Sequence, residues 1–273
     1  MIAFQGETTS WNVRDRILEI TLHREPGNEI GSRTLEEWER LVDALAEAID
    51  GEEIGAVLCW SAIPAGFGAG ADLRELYEKM QALGLAERRT RIREFLTRIH
   101  RVMTELDECA VPTVAAIQGI CFGGAFELAL TMDLLVADRS ARFGLPELRL
   151  GLIPGFGGIP RLKRDLGNPQ ARDLLLTGRT MGAERAYDAG LITQLTADGR
   201  ALDIARAAAR QLTKLDRKAA ASAKAFVKPS PREELEREID IFTELFLRPV
   251  VEESLRTFTQ RTDALTYLPP ETP

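Results

Sequence analysis

Three features of the sequence predict an α/β layered fold with parallel strands. Strand, glycine-rich turn and helix follow one another repeatedly through residues 1–200, a succession that buries a sheet under helices. Apolar spacing alternates between the period of two that strands need and the helical period of about 3.6. From about residue 201 only helical patterning remains, so the chain divides into a core, 1–200, and a helical subdomain, 201–273.

Leu18, Ile20 and Leu22 alternate with Glu19, Thr21 and His23, as in a half-buried strand. After the turn Glu25-Pro26-Gly27-Asn28, the residues Leu35, Trp38, Leu41, Val42, Leu45 and Ile49 recur at helical spacing, with Ser32 or Thr34 as the cap. Residues 54–60 read as a more buried strand, and the glycine-rich run 66–72 leads from it into helical sequence. Ile92, Phe95, Leu96, Ile99, Val102, Met103 and Leu106 make one apolar stripe of an amphipathic helix over 87–106. A strand at 111–117, a helix at 125–132 and a short strand at 134–137 follow. Helices at 202–215, 219–227, 233–246 and 250–259 are punctuated by Pro229, Pro231 and Pro249, and 269–273 reads as a frayed end.

A length of 273 residues gives ample chain to bury a core. The formal charge of −7 argues against a general nucleic-acid binder, which needs a basic surface to displace counterions. Cys59, Cys109 and Cys121 form no CxxC pair and suit a reducing compartment, with Cys59 and Cys121 read as small core residues. His23 and His100 stand far apart, which argues against a His-rich metal site. No basic leader precedes an apolar run, and no stretch nears the roughly 18 apolar residues of a membrane span. A cytoplasmic protein without membrane association is the expectation.

Chemistry concentrates in the middle third. Gly66-Phe67-Gly68-Ala69-Gly70-Ala71 fits a loose dinucleotide pattern, but the stretch some twenty residues on is helical and supplies no acidic strand end. Small residues there let backbone N–H groups approach a ligand closely. Gly123-Gly124 opens a second helix with Glu127 in its first turn, where the helix dipole favours a carboxylate. Glu147 follows Pro146 in a turn beside the glycine-rich loop 151–158. Two carboxylates in different environments can divide acid and base roles.

These ordered motifs resemble those of the crotonase (enoyl-CoA hydratase/isomerase) superfamily. The run 66–73 is similar to its first oxyanion-hole motif, 118–129 to its second, and 143–147 with 150–158 to its third. The resemblance implies a crotonase-like spiral of ββα units with a C-terminal helical trimerisation subdomain, assembling as a homotrimer or a dimer of trimers. It implies an acyl-CoA thioester as substrate and no cofactor, coenzyme A being part of the substrate. Carried over by motif, the backbone N–H groups of Ala69 and Gly124 form the oxyanion hole. The backbone of Ala69, Gly70, Ala71 and Asp72 lines the acyl-CoA site, with Arg24 near the CoA phosphates. Glu127 and Glu147 fall on the two catalytic glutamate positions of hydratases, Glu127 as base on water and Glu147 as acid to the α-carbon.

The implied activity is hydration of a trans-2-enoyl-CoA to a 3-hydroxyacyl-CoA. A Δ3,Δ2-enoyl-CoA isomerase is the enzymatic alternative, and an RNA-binding or scaffold member of the fold the non-enzymatic one. The chain departs from the family at Ala125, Phe126 and Ile159-Pro160, and at 258–265, where a Lys-Arg-x-Pro-x-Phe ending is common. The arginine run Arg88, Arg89, Arg91, Arg93, Arg98 and Arg101 reads as a solvated or intersubunit face, and His100 as a polar helix-face residue.

Overall fold

An antiparallel ladder begins the chain, with β1 (Ala3–Gln5), β2 (Thr9–Arg14) and β3 (Ile17–Leu22) paired in sequence. The computed structural model describes residues 2–260. Residues 261–265 of the tail motif and the end at 269–273 lie outside the described residues. After α1 (Ser32–Asp50), strands arrive in pairs that alternate between two sheets. β4 (Ala56–Ser61) joins β3 in parallel, and β5 (Gly66–Gly68) enters the second sheet before α2 (Leu73–Met80) and α3 (Leu85–Asp107). β6 (Thr113–Ile117) then pairs with β4, and β7 (Ile120–Phe122) with β5, ahead of α4 (Gly124–Ala129). β8 (Leu134–Asp138) and β9 (Arg142–Gly144) repeat the step, followed by a 3-10 turn at Glu147–Leu150 and α5 (Gly158–Thr177).

β10 (Met181–Gly182), α6 (Ala183–Asp188) and β11 (Gln194–Thr196) complete the sheets. Their strand orders are β1-β2-β3-β4-β6-β8-β11 and β10-β9-β7-β5. This is the spiral of ββα units that the motifs imply. Four helices close the described chain: α7 (Ala201–Leu212), α8 (Arg217–Val227), α9 (Arg232–Phe246) and α10 (Pro249–Thr259). No helix among the described residues is long and apolar enough to cross a membrane.

The parallel strands are buried on both faces, as sheets covered by helices must be. Val57, Cys59, Ala115 and Ile117 point into the main core with Leu41 and Val102. Their neighbours Leu58, Val114 and Ala116 point the other way, onto Ala201, Ala205 and Ala209 of α7. α7 thus covers the central sheet, whereas α9 packs on α3 and α10 on α2. The three- and two-residue strands of the second sheet are too short and glycine-rich to show alternation, so sequence pattern alone reads them as loop.

One local expectation is corrected. Neither Ser32 nor Thr34 caps α1: Gly31 holds the cap position, and the Ser32 amide donates instead to the Glu75 carboxylate at 3.1 and 3.2 Å. The arginine run lies on a solvated face, as expected, and most of its charges are paired within the chain. Arg88 pairs with Glu252, Arg89 with Glu244 and Arg93 with Asp240 on the C-terminal helices, while Arg98 and Arg101 pair with Glu39 and Asp43 of α1. Exposed pairs of this kind contribute little energy singly, and together they set where α9 and α10 lie.

The buried charges are tighter. At the end of α3, Asp107 accepts from Arg161 at 3.0 Å and Arg164 at 2.9 Å, and meets Lys228 at 3.0 Å. Burial works against its charge, but Lys228, Arg161 and Arg164 outweigh burial and hold the carboxyl below its ordinary range. A depressed carboxyl contributes stability above its unfolded value and loses it as pH falls through the folded one. Removing one partner of such a cluster strands the others. Asp107→Asn is expected to lose about 3–5 kcal/mol in urea unfolding at pH 7. Its deficit against the unmodified chain should shrink as the pH is lowered below about 4.

Candidate active site

The turns that follow β5, β7 and β9 combine with α2, α3, α4 and the C-terminal helices α9 and α10 to line a cavity of about 560 Å³. Phe95, Leu96, Leu150, Phe156, Phe242 and Phe258 supply apolar wall, so water inside it is poorly replaced by protein dipoles. Glu127 and Glu147 both line this cavity. The structure thus brings together the two carboxylates that the sequence nominates from segments twenty residues apart.

Glu127 lies in the first turn of α4 and is 2% exposed. Its Oε1 accepts from the Phe156 amide at 2.8 Å and the Gly158 amide at 2.7 Å. Burial pushes its carboxyl up to about 7, and the two amides and Arg161 restrain the rise. Glu147 begins the 3-10 turn. Its Oε1 lies so close to Gly123 that a Cβ there would approach to 2.7 Å, and Gly123 also needs a left-handed φ of +50°. The residue is half-buried overall, but its Oε2 is sealed and without a hydrogen-bond partner. Burial, and then the charge of Glu127, push this carboxyl well above the usual range. The two acids therefore separate: Glu127 ionises first, and Glu147 keeps its proton.

The amides require a correction. Ala69 does not offer its N–H to the cavity, because that group donates to the Gly27 carbonyl at 2.8 Å. The segment runs extended beside 27–30: Ile30 donates to Gly70 O at 2.8 Å and Asp72 to Ile30 O at 3.0 Å. Between these bonds the Ala71 amide has no partner among the described residues, and Ala71 lines the cavity. The Gly124 amide, at the opening of α4, is likewise free and lies beside Gly70, whose added Cβ would sit 3.1 Å from it. Ala71 and Gly124 are thus the available donor pair.

Ala69 lines the wall, but Gly70 and Asp72 do not, contrary to expectation. The Gly70 carbonyl and the Asp72 amide bond Ile30, and the Asp72 side chain caps α2 at 2.9 Å from the Glu75 amide. Arg24 also stands off the wall, bound to Asp72 at 2.5 Å and to the Glu29 carbonyl at 2.5 Å.

Two contributors escape the sequence reading. His100 is not on an open polar face: it is 6% exposed and donates from Nε2 to Gly155 O at 2.9 Å. Burial lowers it to about 4, so the ring is neutral near pH 7. Glu238 of α9 is 3% exposed and accepts from the Gly157 amide at 2.6 Å and the Ile159 amide at 3.2 Å. Helical spacing held the signal: His100 stands four residues after Leu96, and Glu238 three after Leu235 and four before Phe242, both within apolar stripes.

The family model described as Enoyl-CoA hydratase/isomerase matches residues 12–265. The chain belongs to this family. It is 32% identical over 263 residues to a Rhizobium meliloti protein named Probable enoyl-CoA hydratase, covering 94% of this chain and 97% of that one. It is 36% identical over 206 residues to Probable enoyl-CoA hydratase echA8 of Mycobacterium bovis, covering 75% of each. Among solved structures, the fold matches enoyl-CoA hydratase from Bacillus halodurans with a TM-score of 0.81 at 24% identity, over 91% of this chain and 99% of that one. EchA1_1 from Mycobacterium paratuberculosis matches with a TM-score of 0.77 at 28% identity, over 92% and 96%.

A carboxyl whose folded value is raised weakens the fold at every pH above its unfolded value, because the folded state must either hold a proton or bury a charge. Glu147→Gln removes that liability. The variant should melt a few degrees higher than the unmodified chain at pH 8, and at the same temperature near pH 4, by calorimetry.

Proposed function

We propose that the chain is an enoyl-CoA hydratase that adds water to a trans-2-enoyl-CoA thioester to give a 3-hydroxyacyl-CoA. The observation that carries this reading is the pairing of Glu127 and Glu147 in one apolar cavity, with environments that separate their protonation. Hydration needs a base at one carbon and an acid at its neighbour. Glu127, ionised, takes a proton from water as the water oxygen bonds to Cβ. The displaced electron pair moves to the thioester oxygen, which the Ala71 and Gly124 amides stabilise as an enolate. Glu147, protonated, delivers its proton to Cα as the enolate collapses. One proton has then passed from Glu147 and one to Glu127, and exchange between them restores the starting state.

The oxyanion donors contribute a share comparable to that of the two acids, since losing one such donor typically costs ~10²–10³ in rate. Coenzyme A is part of the substrate, and no added cofactor takes part. Arg24, part-exposed and clasped to Asp72 one residue beyond the Ala71 amide, is assigned to the CoA phosphates. α8 exposes Phe226 and Val227 at 87% and 75%, an apolar edge that supports a homotrimer or a dimer of trimers. Light scattering at micromolar concentration should give a multiple of three chains, and a stable monomer would refute the assembly.

Purified protein is expected to hydrate crotonyl-CoA, followed as loss of the conjugated-enone absorbance, with or without a chelator present. Glu127→Gln and Glu147→Gln should each lower kcat by ~10²–10⁴. Isomerisation of a 3-enoyl-CoA that survives in Glu147→Gln, with no hydration by the unmodified chain, would give the isomerase reading instead. The rate should fall below about pH 7 as Glu127 is protonated, and again at higher pH as Glu147 loses its proton.

A further inference from the structure

The turn at 155–159 holds Glu127 with alternate amides and hands the intervening ones to another carboxylate. Phe156 and Gly158 donate to Glu127, while Gly157 and Ile159 donate to Glu238. Four successive N–H groups thus run to two acids on opposite sides of one turn, at the start of α5. Gly157 adopts a left-handed φ of +91° there, so the turn has no side chain of its own to stiffen it at that point. The carbonyls are taken as well: His100 donates to Gly155 O, and Arg161 Nη1 to Phe156 O at 3.3 Å and Gly157 O at 3.2 Å.

Glu238 is costly to keep. It has no Lys or Arg within salt-bridge distance among the described residues, and the His100 ring 3.6 Å away is neutral. An apolar side chain on this face of α9 would pack with Leu235, Ile239 and Phe242 at no such cost.

We propose that Glu238 is a positioning residue for the reaction: from α9 it anchors the Gly157 and Ile159 amides, and so fixes the Phe156 and Gly158 amides that orient Glu127 Oε1. The proposal rests on the hydratase reading for its kinetic consequence, though not for its structural one. It makes the catalytic base depend on the C-terminal helix that also supplies Phe242 to the cavity wall. Burial, and the charge of Glu127, push the Glu238 carboxyl well above its usual range, so it acts as a neutral acid whose oxygens accept from the turn. The groups facing this site are Glu127 from α4, His100 from α3 and Arg161 from α5. Of these, His100 is neutral, and Arg161, held by Asp107 at 3.0 Å, restrains the rise.

The experiment compares Glu238→Ala and Glu238→Gln with the unmodified chain. The first readout is the pH midpoint of Glu127 ionisation, isolated by infrared difference against Glu127→Gln. The second is crotonyl-CoA kinetics. Glu238→Ala should move the midpoint to higher pH, since the loosened turn stabilises the Glu127 charge less. It should also lower kcat about tenfold or more with KM changed by less than about twofold. Glu238→Gln, which keeps one acceptor in place without charge, should restore kcat to within about threefold.

If Glu238→Ala does not fold, Glu238→Asp, which keeps the carboxyl but shortens the reach, should shift both readouts in the same direction. A folded Glu238→Ala with an unmoved midpoint overturns the proposal, whatever happens to its melting temperature. So does a loss carried by KM alone. An unmodified chain that never hydrates crotonyl-CoA would defeat the hydratase reading, while the infrared midpoint would still decide the role of Glu238.

Discussion

Two carboxylates that share an apolar cavity repel each other, and the protein interior offers them little screening. Glu127 and Glu147 are in that position, and the structure treats them unequally. Glu127 receives two amides from the turn before α5, and Glu147 receives none at Oε2. That inequality, more than the presence of two acids, separates the protonation of the pair. The surrounding architecture follows from it. The spiral alternates strands between two sheets, so that successive glycine-rich turns reach the same cavity.

The backbone does as much as the side chains. Bonding to residues 27–30 consumes the Ala69 and Asp72 amides and the Gly70 carbonyl and leaves the Ala71 N–H without a partner among the described residues, while α4 opens with the free Gly124 amide beside it. Buried amides without partners are uncommon, because an unmade hydrogen bond costs free energy in the folded state. A fold that retains them next to two acids spends stability on a site. The Asp107 cluster and the arginine clasp between α3 and its neighbours lie away from that cost and tie down the helices that roof the cavity.

Much of this was legible in sequence because it follows from strong local signals. Apolar alternation marks β3, and the apolar stripes mark α1, α3, α7 and α9. The order of the three glycine-rich motifs pointed to the spiral and to both glutamates. The errors were matters of backbone direction and long-range pairing. Ala69 and Ala71 are the same residue type two positions apart, and only the bonds to Gly27 and Ile30 decide which amide stays free. Pattern gave the arginines of α3 their outward face but not their partners, which lie up to 164 residues away. Glu238 and His100 look like polar interruptions of apolar stripes, and their roles depend on a turn far off in sequence.

The unequal protonation of Glu127 and Glu147 is the central claim, and infrared spectroscopy of the carboxyl groups tests it without any substrate. The difference spectrum between the unmodified chain and Glu147→Gln at neutral pH should contain the C=O stretch of a protonated carboxylic acid, present only in the unmodified chain. A difference spectrum showing an ionised carboxylate lost from position 147, with no protonated band, would contradict the account.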